Sequence, residues 1–373
     1  MRRPALTAMQ RRLNLEMAQF MSKRTRVLRV DDKAPQAETI AIAARTIRTG
    51  GLVAFPTETV YGLGANAFDE AAVAKIFTAK GRPANDPLIV HIARFSQLSQ
   101  VAHEPPRQAL ELCRRFWPGP LTLVLRKASR IPANLTAGLE TVAVRMPDHA
   151  VALALLRAAD LPIAAPSANQ FSRPSPTSAQ HVINDLDGAV DVVLDGGETP
   201  IGVESTILSL TDEGPCVLRP GGLSFEALRE ILPDLRYEPS YLDDELSAAP
   251  APGAMLRHYS PRARVILFSG DDDAEVYAAM RAEIEAHGRV GILASDADLA
   301  AFADLDIIIE RLGATADDAA QRLFAALRSL DQQTVDCILA RAPEKTGLGL
   351  AVWDRLLRAS VGALVEVSAE SVD

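Results

Sequence analysis

Four cations stand where the chain should turn tightly. Lys80 and Arg82 lie two apart in the turn Lys80–Gly81–Arg82–Pro83. Arg145 ends the apolar run Thr141–Arg145, and Arg219 ends Cys216–Arg219 just before Pro220–Gly221–Gly222. A cation at a helix end often serves only to cap free carbonyls. Gly81 and Pro83, however, hold the first pair off the helix proper, and arginines at strand ends suit an anionic ligand. Four such residues in a chain of net charge −9 point to a cleft that binds phosphate or carboxylate. Two hydroxyl-rich turns, Ser167–Ala168–Asn169 and Glu204–Ser205–Thr206, also follow strands. Neither serine sits in a G-x-S-x-G elbow with a positioned histidine. They read as ligand-bonding groups, with turn capping as the competing role. His91 ends an apolar strand without a second ligand at metal spacing, and on its own reads as a satisfied core histidine. The chain has neither G-x-x-x-x-G-K-[ST] nor a strand-linked G-x-G-x-x-G, so a nucleotide would be held by side chains and strand-end amides.

The stretch Gly50–Ile92 supplies the frame for these groups. Leu52–Phe55 reads as a buried strand stopped by Pro56, and residues 57–64 as a polar, glycine-broken loop. Asp69 should cap a helix carrying Val73, Ile76 and Phe77 at helical spacing. That helix ends at Lys80, and Leu88–Ile92 reads as a second strand. Further along, Leu121–Leu125, Thr141–Arg145, Pro162–Ala165, Val190–Leu194, Gly202–Leu210 and Cys216–Arg219 read as strands among helices. Beyond a linker rich in proline and tyrosine, Arg264–Phe268, Arg289–Ala294, Leu305–Glu310 and Val335–Ala340 alternate with helical patterns. This is the signature of a small α/β unit with a parallel sheet.

Length allows two domains, divided here as a basic extension (1–30) expected to be disordered, a first α/β unit (31–232), a linker (233–262) and a second unit (263–373). Residues 1–30 hold eight Lys/Arg and one acid, leaving the remainder at −16. An acidic body argues against broad nucleic-acid binding. Three isolated cysteines, Cys113, Cys216 and Cys337, speak against a disulfide framework or structural zinc and fit a reducing, cytoplasmic setting. No apolar run reaches the roughly 18–20 residues of a membrane span.

The same residues fall in an ordered series of motifs: PTETVYGLG (56–64), KGRP (80–83), PLIVHI (87–92), WPGPLT (117–122), AVRMP (143–147), APSAN (165–169), PSPT (174–177), DGG (195–197), GVESTI (202–207) and RPGG (219–222). The series resembles the YrdC/TsaC-type threonylcarbamoyl-AMP synthases. RHYSP (257–261) and GLGLAVWDRLLRAS (347–360) are similar to the linker and accessory domain of their long, two-domain form. The resemblance implies a twisted mixed sheet with a concave basic face, plus a smaller Rossmann-like α/β domain. It implies a nucleotidyltransferase that makes threonylcarbamoyl-AMP and pyrophosphate from L-threonine, bicarbonate and ATP. Partner machinery then transfers the group to a tRNA adenosine, and direct contact with tRNA is a further expectation.

Carried over by motif, Thr59, His91, Arg145, Ser167 and Ser205 would bind threonine. Lys80, Arg82, Asp86, Thr122, Asn169, Ser175, Arg219 and Tyr259 would bind ATP, with Lys80 and Arg82 catalytic. Mg²⁺ would arrive on the triphosphate, with no metal ligands from the protein. Residues 253–261, carrying Tyr259, would fold over the cleft as a lid. Two departures stand out: Asn85–Asp86 inverts the usual order, placing an acid near phosphate, and Arg173 replaces a glycine. Two rival functions are a non-catalytic RNA-binding module and a carbamoyl-transfer enzyme of hydrogenase maturation. The first lacks aromatic stacking motifs, and the second lacks zinc-type cysteine pairs and an acylphosphatase module.

Overall fold

Two β-sheets, each flanked by helices, organise residues 24–211, 214–237 and 259–367, which a computed structural model of the protein describes. In the first unit the strands are β1 (Arg26–Arg29), β2 (Val53–Phe55), β3 (Gly62–Asn66), β4 (Ile89–His91), β5 (Leu121–Arg126), β6 (Thr141–Arg145), β7 (Ile163–Ala164), β8 (Val192–Asp195), β9 (Thr206–Ser209), β10 (Cys216–Arg219) and β11 (Arg236–Tyr237). They form one mixed sheet in the order β1-β8-β2-β3-β7-β4-β6-β5-β9-β10-β11. Helices α1 (Ala37–Arg48), α2 (Glu70–Lys80), α3 (Arg107–Phe116), α4 (Ala150–Ala159), α5 (Ala179–Leu186) and α6 (Phe225–Arg229) flank it. The short central strands are almost wholly buried, as expected for strands covered on both faces.

The second unit has β12 (Arg264–Ser269), β13 (Val290–Ser295), β14 (Ile308–Gly313), β15 (Cys337–Arg341) and β16 (Leu364–Glu366), with α7 (Asp273–Ala286), α8 (Ala316–Gln332) and α9 (Gly349–Ala359). Every pairing in this sheet is parallel. Helix α8 opens on a capping box in which the Thr315 and Asp318 side chains satisfy each other's backbone donors.

Local chemistry explains the element that carries Lys80. Asp69 accepts hydrogen bonds from the backbone N–H groups of Ala71 and Ala72, satisfying two donors at the start of α2. Gly81 stops the helix at φ +64°, a conformation a residue with a Cβ adopts only under strain. Ala72, Val73 and Ile76 are buried, whereas Phe77 is only partly so.

Several expectations need correction. Part of the loop expected over 57–64 is strand: β3 begins at Gly62 and pairs antiparallel with β2. Its glycines hide the alternation that normally reveals a strand. Arg26–Arg29, placed in a disordered extension, is an edge strand parallel to Val192–Asp195. A charged strand suits a sheet edge, where solvent reaches the side chains. The short strands β11 and β16 were also not expected. Residues 1–23 and most of the linker, including His258 and the first part of the expected lid, lie outside the described residues. Among the described residues no helix is long and apolar enough to cross a membrane.

Candidate active site

Sheet register gathers the site. His91 on β4 lies opposite Arg145 on β6, and Arg145 lies opposite Thr122 on β5. Facing residues on neighbouring strands project to the same side of a sheet. Thr122 in turn pairs with Ile207, and Ile207 with Arg219. Strands β5 and β9 run opposite to β4, β6 and β10, so the starts of the first two meet the ends of the other three. His91, Arg145, Thr122, Ser205 and Arg219 are thereby brought to one end of the sheet. The loop after β2 and the turn after β7, tied by a bridge between Gly62 and Ser167, complete a cleft with about 500 Å³ of empty space, its open mouth included. Gly221 lets the RPGG turn close against this wall, because a Cβ there would lie 2.3 Å from the Glu204 carbonyl oxygen.

Of the expected residues, Thr59, Arg82, His91, Arg145, Ser167, Ser205, Arg219 and Tyr259 line this cleft. Arg145 is 3 % exposed. Its Nη1 donates to Thr59 Oγ1 at 2.9 Å, and that oxygen lies 2.8 Å from Thr57 Oγ1. Its Nη2 stands 2.5 Å from Glu58 Oε2, but without hydrogen-bond geometry, and Nε has no acceptor among the described residues. A buried guanidinium with unused donors is costly unless a ligand uses them. His91 packs edge-on against Phe55, and its Nδ1 has no hydrogen-bond partner among the described residues. Burial, reinforced by the Arg145 charge, pushes this imidazole down to about 3. It is therefore neutral near pH 7.

Arg82 is oriented from behind: Nε donates to the Asp86 carbonyl, Nη2 donates to the Pro87 carbonyl, and Nη2 pairs with Asp86 Oδ1 at 2.7 Å. Arg219 Nη2 donates to the Ser205 carbonyl at 2.9 Å. Tyr259 is fully buried, its ring 5.3 Å from Phe324 and beneath the Arg355 guanidinium. Burial raises the Tyr259 phenol above its usual range despite Arg355, so it too is neutral near pH 7.

Lys80, Asp86, Thr122, Asn169 and Ser175 stand behind the cleft wall. Lys80, expected on phosphate, instead donates its ammonium to the carbonyls of Ser167 (2.6 Å) and Asn169 (2.5 Å) and to Asn169 Oδ1 (3.2 Å). Its Nζ is thus spent on the Ser167–Asn169 turn, and burial drives its pKa well below the usual lysine range. Asp86, expected to bind ATP, is a counter-charge for Arg82. Asn169 donates to the carbonyls of Gln170 and Arg173. Thr122 shares a 2.8 Å hydrogen bond with Ser205, and Ser175 donates to Glu204 Oε1. Arg173, noted above where the resembling family has glycine, pairs with Asp185 and Asp331. It links the two units.

Sequence reasoning missed Glu58, beside Arg145, and Arg355, which pairs with Glu204 from the second unit. It named Glu204 only as part of a hydroxyl-rich turn. The available signals were an acid among the hydroxyls of PTET and GVEST, and the charges Asp354, Arg355 and Arg358 inside a largely apolar helix. Among the described residues no group of three or more His, Cys, Asp or Glu is placed to hold a metal ion.

The chain as a whole is similar to known proteins. A family model described as "Telomere recombination" matches residues 45–221, and one described as "Threonylcarbamoyl-AMP synthase, C-terminal domain" matches residues 223–361. The threonylcarbamoyl-AMP synthase of Pyrococcus abyssi is 49 % identical over 334 residues, covering 88 % of this chain and 96 % of the relative. The chain belongs to the Sua5–YciO–YrdC family. It has the family's long, two-domain form. The threonylcarbamoyl-AMP synthase of Bacillus subtilis is 43 % identical over 90 % of this chain and 96 % of its own length. The crystal structure of P. abyssi Sua5 complexed with L-threonine superposes with a TM-score of 0.85 at 47 % identity, covering 92 % of this chain and all of that one.

Proposed function

We propose that the protein is a threonylcarbamoyl-AMP synthase, a nucleotidyltransferase acting on L-threonine, bicarbonate and ATP. One observation carries this reading. A buried arginine with unused donors, Arg145, shares a single cleft with two further arginines, Arg82 and Arg219. The first suits an amino-acid carboxylate, and the other two suit a polyphosphate. The threonine complex of the P. abyssi relative supports L-threonine as one of the ligands. Thr59, Ser167, Ser205 and neutral His91 would surround the threonine, with Tyr259 on the nucleotide side.

In this reading the threonine amine first forms a carbamate with bicarbonate, releasing water. A carbamate oxygen then attacks the α-phosphorus, and the bond to the β-phosphate breaks, expelling pyrophosphate. No enzyme nucleophile is required. The protein contributes position and charge neutralisation. Lys80 serves by fixing the Ser167–Asn169 turn, and Asn169, Thr122, Ser175 and Asp86 hold the lining side chains. Mg²⁺ would enter as the counter-ion of ATP, where it would neutralise phosphate charge. A transferase that moves the threonylcarbamoyl group to tRNA must consume the product. The three free cysteines fit work in the reducing cytoplasm.

The test is pyrophosphate release from ATP, Mg²⁺ and bicarbonate, with and without L-threonine, by wild type and Lys80→Ala. Release that requires threonine and bicarbonate, and is lost in the folded variant, is the expected result. A folded wild type that binds ATP but releases no pyrophosphate in response to threonine overturns the reading.

A further inference from the structure

The second unit reaches the cleft wall directly. Val60 and Val203 share an apolar cluster with Tyr259, Phe324, Leu327 and Leu356. Gly202, which starts the GVES segment, lies so close to α8 that a Cβ would stand 2.4 Å from the Ala320 carbonyl oxygen. Only glycine lets the two backbones approach this closely.

At the centre of this contact is Arg355 on α9, which is fully buried. Its Nε donates to Glu204 Oε2 at 2.8 Å, its Nη1 to Asp354 Oδ2 at 2.5 Å and its Nη2 to the Pro220 carbonyl at 3.1 Å. The guanidinium lies 5.0 Å from the centre of the Tyr259 ring. One side chain thus touches the GVES segment, the RPGG turn and the tyrosine that lines the cleft. Glu204 completes the chain on the other side by accepting from Ser175 Oγ at 2.5 Å.

We propose that Arg355 is a positioning residue for the cleft, through which the second unit holds Glu204 and Tyr259 in the geometry that binds the nucleotide. The reaction assigned to it rests on the synthase reading above. With both carboxylate oxygens occupied by donors, Glu204 is poorly suited to act as a base and serves as a fixed negative charge. The groups facing it are Arg219 from β10, Tyr259 before β12, Arg355 from α9 and the Ser175 hydroxyl, with Asp354 and Arg358 behind Arg355. Burial alone would raise the Glu204 carboxyl. The charges of Arg355 and then Arg219, with the Ser175 and Arg355 hydrogen bonds, bring it below its usual range instead.

Removing Arg355 should therefore raise the pKa of Glu204, moving the acid limb of the pH profile upward. The test compares Arg355→Met, Arg355→Lys and wild type in the full chain, normalised to folded protein. Threonine-dependent pyrophosphate release is followed from pH 5 to 9, and the thermal shift produced by ATP is read on the same samples. In Arg355→Met, kcat/KM for ATP should fall at least about tenfold, as for a lost charge-assisted contact. Its acid limb should rise by about one to three pH units, the usual influence of a neighbouring opposite charge. Arg355→Lys should recover part of both. If Arg355→Met does not fold, Arg355→Lys decides. Wild-type kinetics, acid limb and ATP shift in whichever variant folds would overturn the proposal. Absence of pyrophosphate release from wild type would instead sink the synthase reading. The ATP shift would then still test Arg355.

Discussion

Two sets of buried arginines meet in this molecule. Those at the interface between the units are neutralised within the protein: Arg328 binds both oxygens of Asp185 and the Pro174 carbonyl, and Arg355 binds Glu204, Asp354 and the Pro220 carbonyl. In the cleft, Arg145 is also paired in charge, its Nη2 2.5 Å from Glu58 Oε2, but without hydrogen-bond geometry, and its Nε finds no acceptor among the described residues, although it is 3 % exposed. Equal burial therefore has opposite meanings. An arginine forked onto both oxygens of a carboxylate, as Arg328 is even though its Nε finds no acceptor among the described residues, locks one arrangement, and the cost of breaking the pair falls on stability. An under-paired arginine is a preorganised receptor, and its loss falls mainly on binding.

The sharpest way to break the comparison is Asp185→Ala. It leaves Arg328 buried with one carbonyl partner and removes one of the two partners of Arg173. Loss of one member of a buried ion pair costs about 3–5 kcal/mol. The apparent thermal midpoint should drop by several degrees, and the folded fraction should keep its threonine KM. An unchanged midpoint would mean that the interface pair contributes little.

Arg145→Lys tests the other side. Lysine keeps the positive charge beside Glu58 but loses the planar fork that fits a carboxylate. Hydrogen bonds to a charged group are worth about 1.5–3 kcal/mol, so KM for L-threonine should rise roughly ten- to a hundredfold while the thermal midpoint moves little. A variant that melts early but binds threonine normally would place Arg145 with the interface set.

How far this division could be read in advance depended on sequence distance. Arg145 and Arg219 were legible because cations end apolar runs, and Ser205 because it sits in a hydroxyl-rich turn, whereas His91 and Thr122 were placed in the site only through the motif resemblance. The α2 cap at Asp69 and the stop at Gly81 were equally plain, since both are local. Strand β3 was obscured by its glycines, and β1 by its arginines, which read as a solvated arm. Lys80 was placed on the ligand because a turn's composition does not say where a long side chain ends. The Glu204–Arg355 pair spans 151 positions, and no local periodicity or motif connects them. The cleft's lining was thus largely visible, whereas the residues holding that lining in place were not.

The smallest effect is a pH dependence carried by His91. In the folded cleft this imidazole titrates near 3, whereas an unfolded histidine titrates near its ordinary 6.5. Above pH 6.5 both states hold it neutral, and it contributes no pH dependence. As pH falls below 6.5 the unfolded chain takes up a proton that the folded one refuses. Stability is then lost at up to about 1.4 kcal/mol per pH unit until the folded ring also titrates. His149 and His181 are also held below their usual range by burial and add to the same trend, so the contribution of His91 has to be isolated by difference. Denaturant unfolding of wild type and His91→Asn at pH 7.5, 6.5, 5.5 and 4.5 does this, because the other histidines are common to both. Wild type should lose about 2 kcal/mol more than the variant between pH 6.5 and 4.5. Parallel curves would mean that the ring accepts its proton in the folded cleft. It would then add a cation beside Arg145, and the division between carboxylate-forked and receptive arginines would need redrawing there.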